Sequence, residues 1–155
     1  MIRKLKEHIS LALDTIQDPG NMGTIIRLAD WFGIKTIFAV LIVLMFIVQK
    51  LYKPQWEVLA RVRVEYTDIL SLLIENNDVR IYAAVLDGRD ITKMEKINEG
   101  IIVIGNESKG INAEILKLAN VQITIPGKGK AESLNAAVGV LGMYHCLMFL
   151  ISGLN

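Results

Sequence analysis

Short apolar runs rich in isoleucine and valine recur along the chain, separated by segments whose apolar positions fall at helical spacing. Ile9–Asp14, Ile34–Phe38, Ala60–Val64, Ile81–Leu86, Ile101–Gly105 and Val121–Ile125 read as strands. Between and after them, Asn21–Trp31, Thr67–Asn76, Asn112–Leu118 and Ser133–Leu150 read as helices. Alternation of this kind predicts an α/β fold, a mostly parallel sheet with helices on both faces. Ligand sites in such sheets lie in the loops that leave the carboxyl ends of the strands. No repeat, low-complexity tract or Pro/Ser-rich linker divides the sequence, so one domain over residues 1–155 is expected.

Two stretches break the even texture. Ile37–Val48 is a run of twelve apolar residues, and the 23 positions after Glu132 carry no Asp, Glu, Lys or Arg. Together they account for a mean hydropathy of +0.41 in a chain that is 52% hydrophobic. Neither predicts a membrane span: the first is well short of the roughly twenty residues a crossing needs, and glycines and polar residues interrupt the second. The tail reads as a helix buried against the body or against a second subunit. A net charge of +1 excludes a broadly basic nucleic-acid surface, so any polyanion site must be local. The single cysteine, Cys146, excludes an intramolecular disulfide and a cysteine metal cage, and no metal-ligand spacing occurs elsewhere. A cytoplasmic protein without a metal is expected.

Three loops concentrate the candidate chemistry. After the first strand, Asp18-Pro19-Gly20 makes a turn, Asn21 is placed to cap a helix, and Gly23 and Arg27 follow. Asn21 and Arg27 are six positions apart, too far to touch within one regular helix unless Asn21 loops back. After the fifth strand, Gly105 to Ile111 (GNESKGI) forms a tight polar turn whose glycines allow close backbone approach and whose N–H groups are expected to face outward, with Glu107 among them. After the sixth strand, Ile125 to Gly139 carries Ser133, Leu134 and Asn135 at a helix entry. Its Gly127-Lys128-Gly129-Lys130 run lacks the order of a P-loop.

The ordered set N-x-G-x-x-x-R (Asn21, Gly23, Arg27), G-N-E-x-x-G-I (Gly105 to Ile111) and I-P…E-S-L-N (Ile125 to Asn135), with the strand end A-x-x-L-D-G (Ala83 or Ala84 through Gly88), resembles the motifs of the SpoU/TrmH family of SPOUT RNA 2'-O-ribose methyltransferases. The resemblance covers about residues 8 to 140. It implies a C-terminal trefoil knot, a homodimer, S-adenosylmethionine as cofactor, and tRNA or rRNA as substrate. By the same resemblance, Leu86, Gly88, Gly105, Ile125 and Leu134 hold the cofactor. Arg27, Asn21, Glu107, Ser133 and Asn135 surround the methyl group and the ribose hydroxyl. Family schemes often cast the arginine as base. A guanidinium only donates and has a pKa above about 12, so Arg27 is read instead as a phosphate ligand that stabilises the developing alkoxide, or as a group that needs strong local help to lose a proton.

Between Phe38 and Leu59 the resemblance stops, then resumes at Ala60. Family members have there a pattern of the form CS-x-D-x-x-D-x-Y-x-P-K-x-x-x-A-[ST]-MGS, whereas this chain reads AVLIVLMFIVQKLYKPQWEV. Read one nucleotide out of phase, Met45-Phe46 forces a valine codon and Trp56-Glu57 forces a glycine codon. The codons of the whole segment are compatible with CSPDSADVYSPKVVQATMGS, which has the family's length and pattern. Residues 39–58 are therefore expected to arise from two compensating frameshifts. The chain starts just before its first strand, and no separate N-terminal RNA-binding domain is expected. Two other readings compete: an inactive cofactor-binding or dimerising remnant, and an unrelated α/β nucleotide-binding protein.

Overall fold

The computed structural model describes residues 5–40, 61–129, 139 and 142. Six strands form one sheet: β1 (Ile9–Leu13), β2 (Thr36–Ala39), β3 (Arg63–Tyr66), β4 (Ile81–Asp90), β5 (Gly100–Ile104) and β6 (Val121–Thr124). Their order is β3-β2-β1-β5-β4-β6, and every pairing is parallel. The central strands β1 and β5 are buried at all five positions each. That explains why β5 is a continuous apolar run and why β1 is interrupted only by the buried Ser10, with neither strand alternating.

Helices α1 (Pro19–Phe32), α2 (Ile69–Glu75) and α3 (Ala113–Leu118) connect the strands, with one turn of 3-10 helix at Ile91–Lys93. On α1 the buried residues Met22, Ile25, Ile26 and Ala29 follow the i, i+3, i+4, i+7 stripe of an amphipathic helix. They share one apolar cluster with Leu11 and Leu13. The intervening Ala12 joins a second cluster with Ile69, Leu72 and Leu73 of α2 and Ile115 of α3. Each fully buried leucine or isoleucine in these clusters contributes about 1.5–3 kcal/mol relative to exposure.

Several boundaries differ from the sequence reading. α1 begins at Pro19, and its cap is Asp18, whose side chain accepts from the Asn21 N–H at 2.8 Å; Asn21 therefore lies inside the first turn instead of capping it. Proline at the first helical position needs no N–H partner, which is why the helix starts two residues earlier than expected. β2 lies two residues later than expected at its start and one at its end, and β3 is shifted to Arg63–Tyr66, because pairing of Thr36 with Arg63 through Ala39 with Tyr66 fixes both. β4 extends to Asp90 instead of ending at Leu86. Ala84 and Arg89 both pair with Ile123, so residues 85–88 bulge out before pairing resumes. Of the expected helix over Ser133–Leu150, Gly139 and Gly142 are described and both are helical; the rest lies outside the described residues. Of the suspected frameshifted segment 39–58, only Ala39 and Val40 are described.

The topology fixes where a site can form. β1 and β5 are neighbours, paired from Ile9 with Gly100 to Leu13 with Ile104. From β1 the chain leaves toward β2, while from β5 it leaves toward β6 on the other side of the sheet. The loops after β1 and β5 thus diverge from adjacent strand ends and open a crevice between them.

Candidate active site

At that crevice two of the expected site residues meet. Asn21 Nδ2 on the first turn of α1 donates to Glu107 Oε1 at 3.3 Å, and the Gln17 N–H lies 3.5 Å from Glu107 Oε2. Asn21 is presented by a regular helix and reaches across to the β5 loop; it does not loop back toward Arg27. Arg27 is exposed on α1 and lines an open groove of about 450 Å³ with Thr24, Leu28, Asp30 and Trp31. Asp30 is itself held by Arg61 through a two-point ion pair at 2.8 and 2.9 Å, which keeps its carboxyl below the usual range.

The turn after β5 is built differently from the sequence expectation. Four of its N–H groups are engaged within the loop: those of Ser108 and Lys109 donate to Asn106 Oδ1 at 2.9 and 3.0 Å, that of Gly110 donates to Asn106 O and that of Asn106 to Gly110 O, each at 3.0 Å. The Asn112 N–H donates to Asp14 Oδ2 at 2.7 Å. Gly105 is needed because the loop folds back on itself, so a Cβ there would stand 2.5 Å from the Ile111 nitrogen. The close approach is to the loop's own backbone.

Among the expected cofactor residues, Leu86 and Gly88 lie on the β4 bulge. Leu86 is 69% exposed and its carbonyl accepts from Thr124 Oγ1 at 3.1 Å. Gly88 presses on β6, where a Cβ would meet the Ile123 backbone at 2.6 and 2.7 Å. Ile125 follows β6 directly, and its Cδ1 is 2.7 Å from the place a Cβ would take on Gly142. Ser133, Leu134 and Asn135 lie outside the described residues. Among the described residues, no group of three or more His, Cys, Asp or Glu side chains could hold a metal ion. No helix among them is long and apolar enough to cross a membrane.

Sequence reasoning missed Asp14, Thr15, Asp18 and Asn106. Three of them had a signal: Asp14 ends an apolar strand, Asp18 precedes a proline at a helix start, and Asn106 stands two residues before Ser108 as an Asx-turn residue does. Thr15 alone was unmarked, and its positive φ of 62° is a property of the loop.

Comparison with known proteins gives the same picture across most of the chain. The chain is 32% identical over 149 residues to an uncharacterized tRNA/rRNA methyltransferase of Borreliella burgdorferi, covering 88% of this chain and 61% of that protein. It is 31% identical over 148 residues to the 23S rRNA (guanosine(2553)-2'-O)-methyltransferase RlmP of Bacillus subtilis, covering 87% and 56%. The AdoMet-bound rRNA methyltransferase of Sinorhizobium meliloti superposes with a TM-score of 0.76 at 26% identity, covering 90% of this chain and 55% of that one. The chain thus spans about 60% of the length of the two curated relatives. A match to the SpoU rRNA Methylase family extends over residues 8–144, through both loops that meet at Glu107, and the chain belongs to that family.

Proposed function

We propose that this chain methylates a ribose 2'-hydroxyl of tRNA or rRNA with S-adenosylmethionine as methyl donor. The observation that carries the reading is the Asn21–Glu107 contact, which joins two of the three motif loops at the divergence of β1 and β5. A remnant kept only for packing has no need of polar groups paired across an exposed crevice.

The residues present fit the cofactor. The bulge at 85–88 turns the apolar Leu86 outward, and Gly88 leaves no room for a side chain against β6. Leu86, Gly88, Gly105 and Ile125, with Leu134, would hold it through backbone groups and apolar contact. Bound there, it supplies an electrophilic sulfonium methyl group. The protein's part is alignment and proton handling. Arg27 binds the target phosphate and stabilises charge growing on the ribose oxygen. Asn21, its Nδ2 donating to Glu107, places a polar side chain beside that carboxylate, and by the family resemblance Ser133 and Asn135 would serve the same ribose hydroxyl. The chain's residues would hold the ribose oxygen in line to receive that methyl group in exchange for its bond to sulfur. The hydroxyl proton goes to an acceptor such as the Glu107 carboxylate, not to a guanidinium.

The same reading includes helices on both faces, supported by the two apolar clusters, and a C-terminal trefoil knot, an exception to the usual unknotted connections. It also includes a homodimer and a cytoplasmic location. Residues 39–58 are proposed to be an out-of-phase translation of the family segment that follows β2, supported by the codon fit over that stretch. Calorimetry with S-adenosylmethionine followed by methyl transfer to bulk tRNA and rRNA tests the function. Binding with transfer is expected, whereas binding without transfer would favour the remnant.

A further inference from the structure

We infer that Asn106 is a positioning residue that holds Glu107 in its junction with the first loop, an inference that rests on the methyltransfer reading above. Glu107 is exposed, so its place is set by the backbone that carries it. The neighbouring Asn106 is 8% exposed and uses both ends of its carboxamide. Its Nδ2 donates to the Thr15 carbonyl at 2.8 Å, across 91 residues of sequence. Its Oδ1 accepts from the N–H groups of Ser108 and Lys109 and from Ser108 Oγ, at 2.9, 3.0 and 3.0 Å. Its backbone exchanges two hydrogen bonds with Gly110, each of 3.0 Å. One side chain therefore shapes the β5 loop with its acceptor and ties that loop to the β1 loop with its donor.

The tie is made at a strained point. Thr15 has a φ of 62°, a left-handed conformation that β-branched residues rarely adopt. The surrounding bonds hold it there: Asn106 takes its carbonyl, and its Oγ1 lies 3.2 Å from Asp14 Oδ1. At the far end of the β5 loop, Asp14 Oδ2 accepts from the Asn112 N–H at 2.7 Å. The loop carrying Glu107 is thus fastened to the β1 loop at both ends, by a donor from one side and an acceptor from the other. Aspartate at 106 would lack the donor and set an oxygen against the Thr15 carbonyl. Alanine would lack both functions, and glutamine is one methylene too long.

The test compares Asn106→Ala and Asn106→Asp in the full chain, each alone and combined with Glu107→Gln. With S-adenosylmethionine and bulk tRNA and rRNA, either Asn106 variant should slow single-turnover transfer roughly tenfold to a hundredfold. The Kd for S-adenosylmethionine should change by less than about threefold. In the Glu107→Gln background the same substitutions should cost less than about threefold, since no carboxylate remains to be positioned. Equal losses in both backgrounds, or an unaffected rate, would overturn the inference. A second readout needs no turnover: in 15N-labelled protein Glu107→Gln should shift the Asn21 side-chain amide signals, and that response should vanish once Asn106 is Ala or Asp. A response that survives would also overturn it. A chain that transfers no methyl group but loses the response would instead overturn the methyltransfer reading and leave the positioning role intact.

Discussion

Gly88→Ala puts the β4 bulge under a defined steric load. The new Cβ would lie 2.6 and 2.7 Å from Ile123 C and N and 2.8 Å from Gln122 C, all backbone atoms of β6. Ordinary carbon contacts lie at about 3.5–4.0 Å, so β4 and β6 must part by roughly 1 Å. No side chain can rotate away to relieve it. Overpacking of this kind costs about 1–3 kcal/mol. At about 2–4 °C per kcal/mol for a domain of this size, the midpoint of thermal unfolding should fall by about 2–12 °C. The displaced bulge carries Leu86, so affinity for S-adenosylmethionine should drop about tenfold, which corresponds to about 1.4 kcal/mol. Gly127→Ala is the internal control, because a Cβ there meets nothing within 4 Å. It should stay within about 0.5 kcal/mol of the parent. Differential scanning calorimetry and titration calorimetry read both quantities. A Gly88→Ala variant that matches Gly127→Ala in stability and in cofactor affinity would refute the argument.

Three further outcomes follow from the same geometry and sequence. Arg27→Lys keeps the charge but loses the planar fork, and should lower methyl transfer by at least about tenfold at unchanged S-adenosylmethionine affinity; near-normal turnover would count against a geometric role for the guanidinium. Asp68 caps α2, accepting from Ser71 N and Oγ at 2.9 and 2.6 Å, so Asp68→Ala should cost about 1 kcal/mol in urea unfolding at neutral pH. The Ser71 bonds hold the Asp68 carboxyl below its ordinary value, so its contribution is complete above about pH 4 and is lost as pH falls through the lowered folded value. The parent and Asp68→Ala melts should therefore converge in acid, and a gap that persists there would contradict the cap. For residues 39–58, the coding DNA read in the shifted phase should spell the CSPDSADVYSPKVVQATMGS pattern; codons that do not would end the frameshift proposal.

The parts of this molecule that were legible in its sequence are those set by local chemistry. The apolar runs of β1 and β5 identified buried parallel strands because both of their faces are covered. The 22, 25, 26, 29 stripe identified α1 by its period. What escaped depends on partners distant in the chain. β3 moved to Arg63–Tyr66 because β2 sets its register, and the local pattern over 60–66 does not fix where the pairing begins and ends. The extension of β4 past Asp87-Gly88, a pair that reads as a turn, exists only because Arg89 and Asp90 find β6 again after the bulge. At the site, the motif residues Asn21 and Glu107 were found by resemblance, but their contact spans 86 positions and is visible only in the fold. Asn106 and Asp14 went unnoticed because each has its decisive partner on the other loop.

2'-O-methylation of RNA is tested by transfer of labelled methyl groups from S-adenosylmethionine to bulk tRNA and rRNA, followed by alkaline hydrolysis of the product. A methyl group on the ribose oxygen removes the nucleophile for strand cleavage. Label is expected in alkali-resistant dinucleotides, reduced at least about tenfold with Arg27→Lys. Label recovered only in mononucleotides carrying a methylated base, or no transfer despite cofactor binding, would contradict 2'-O-methylation.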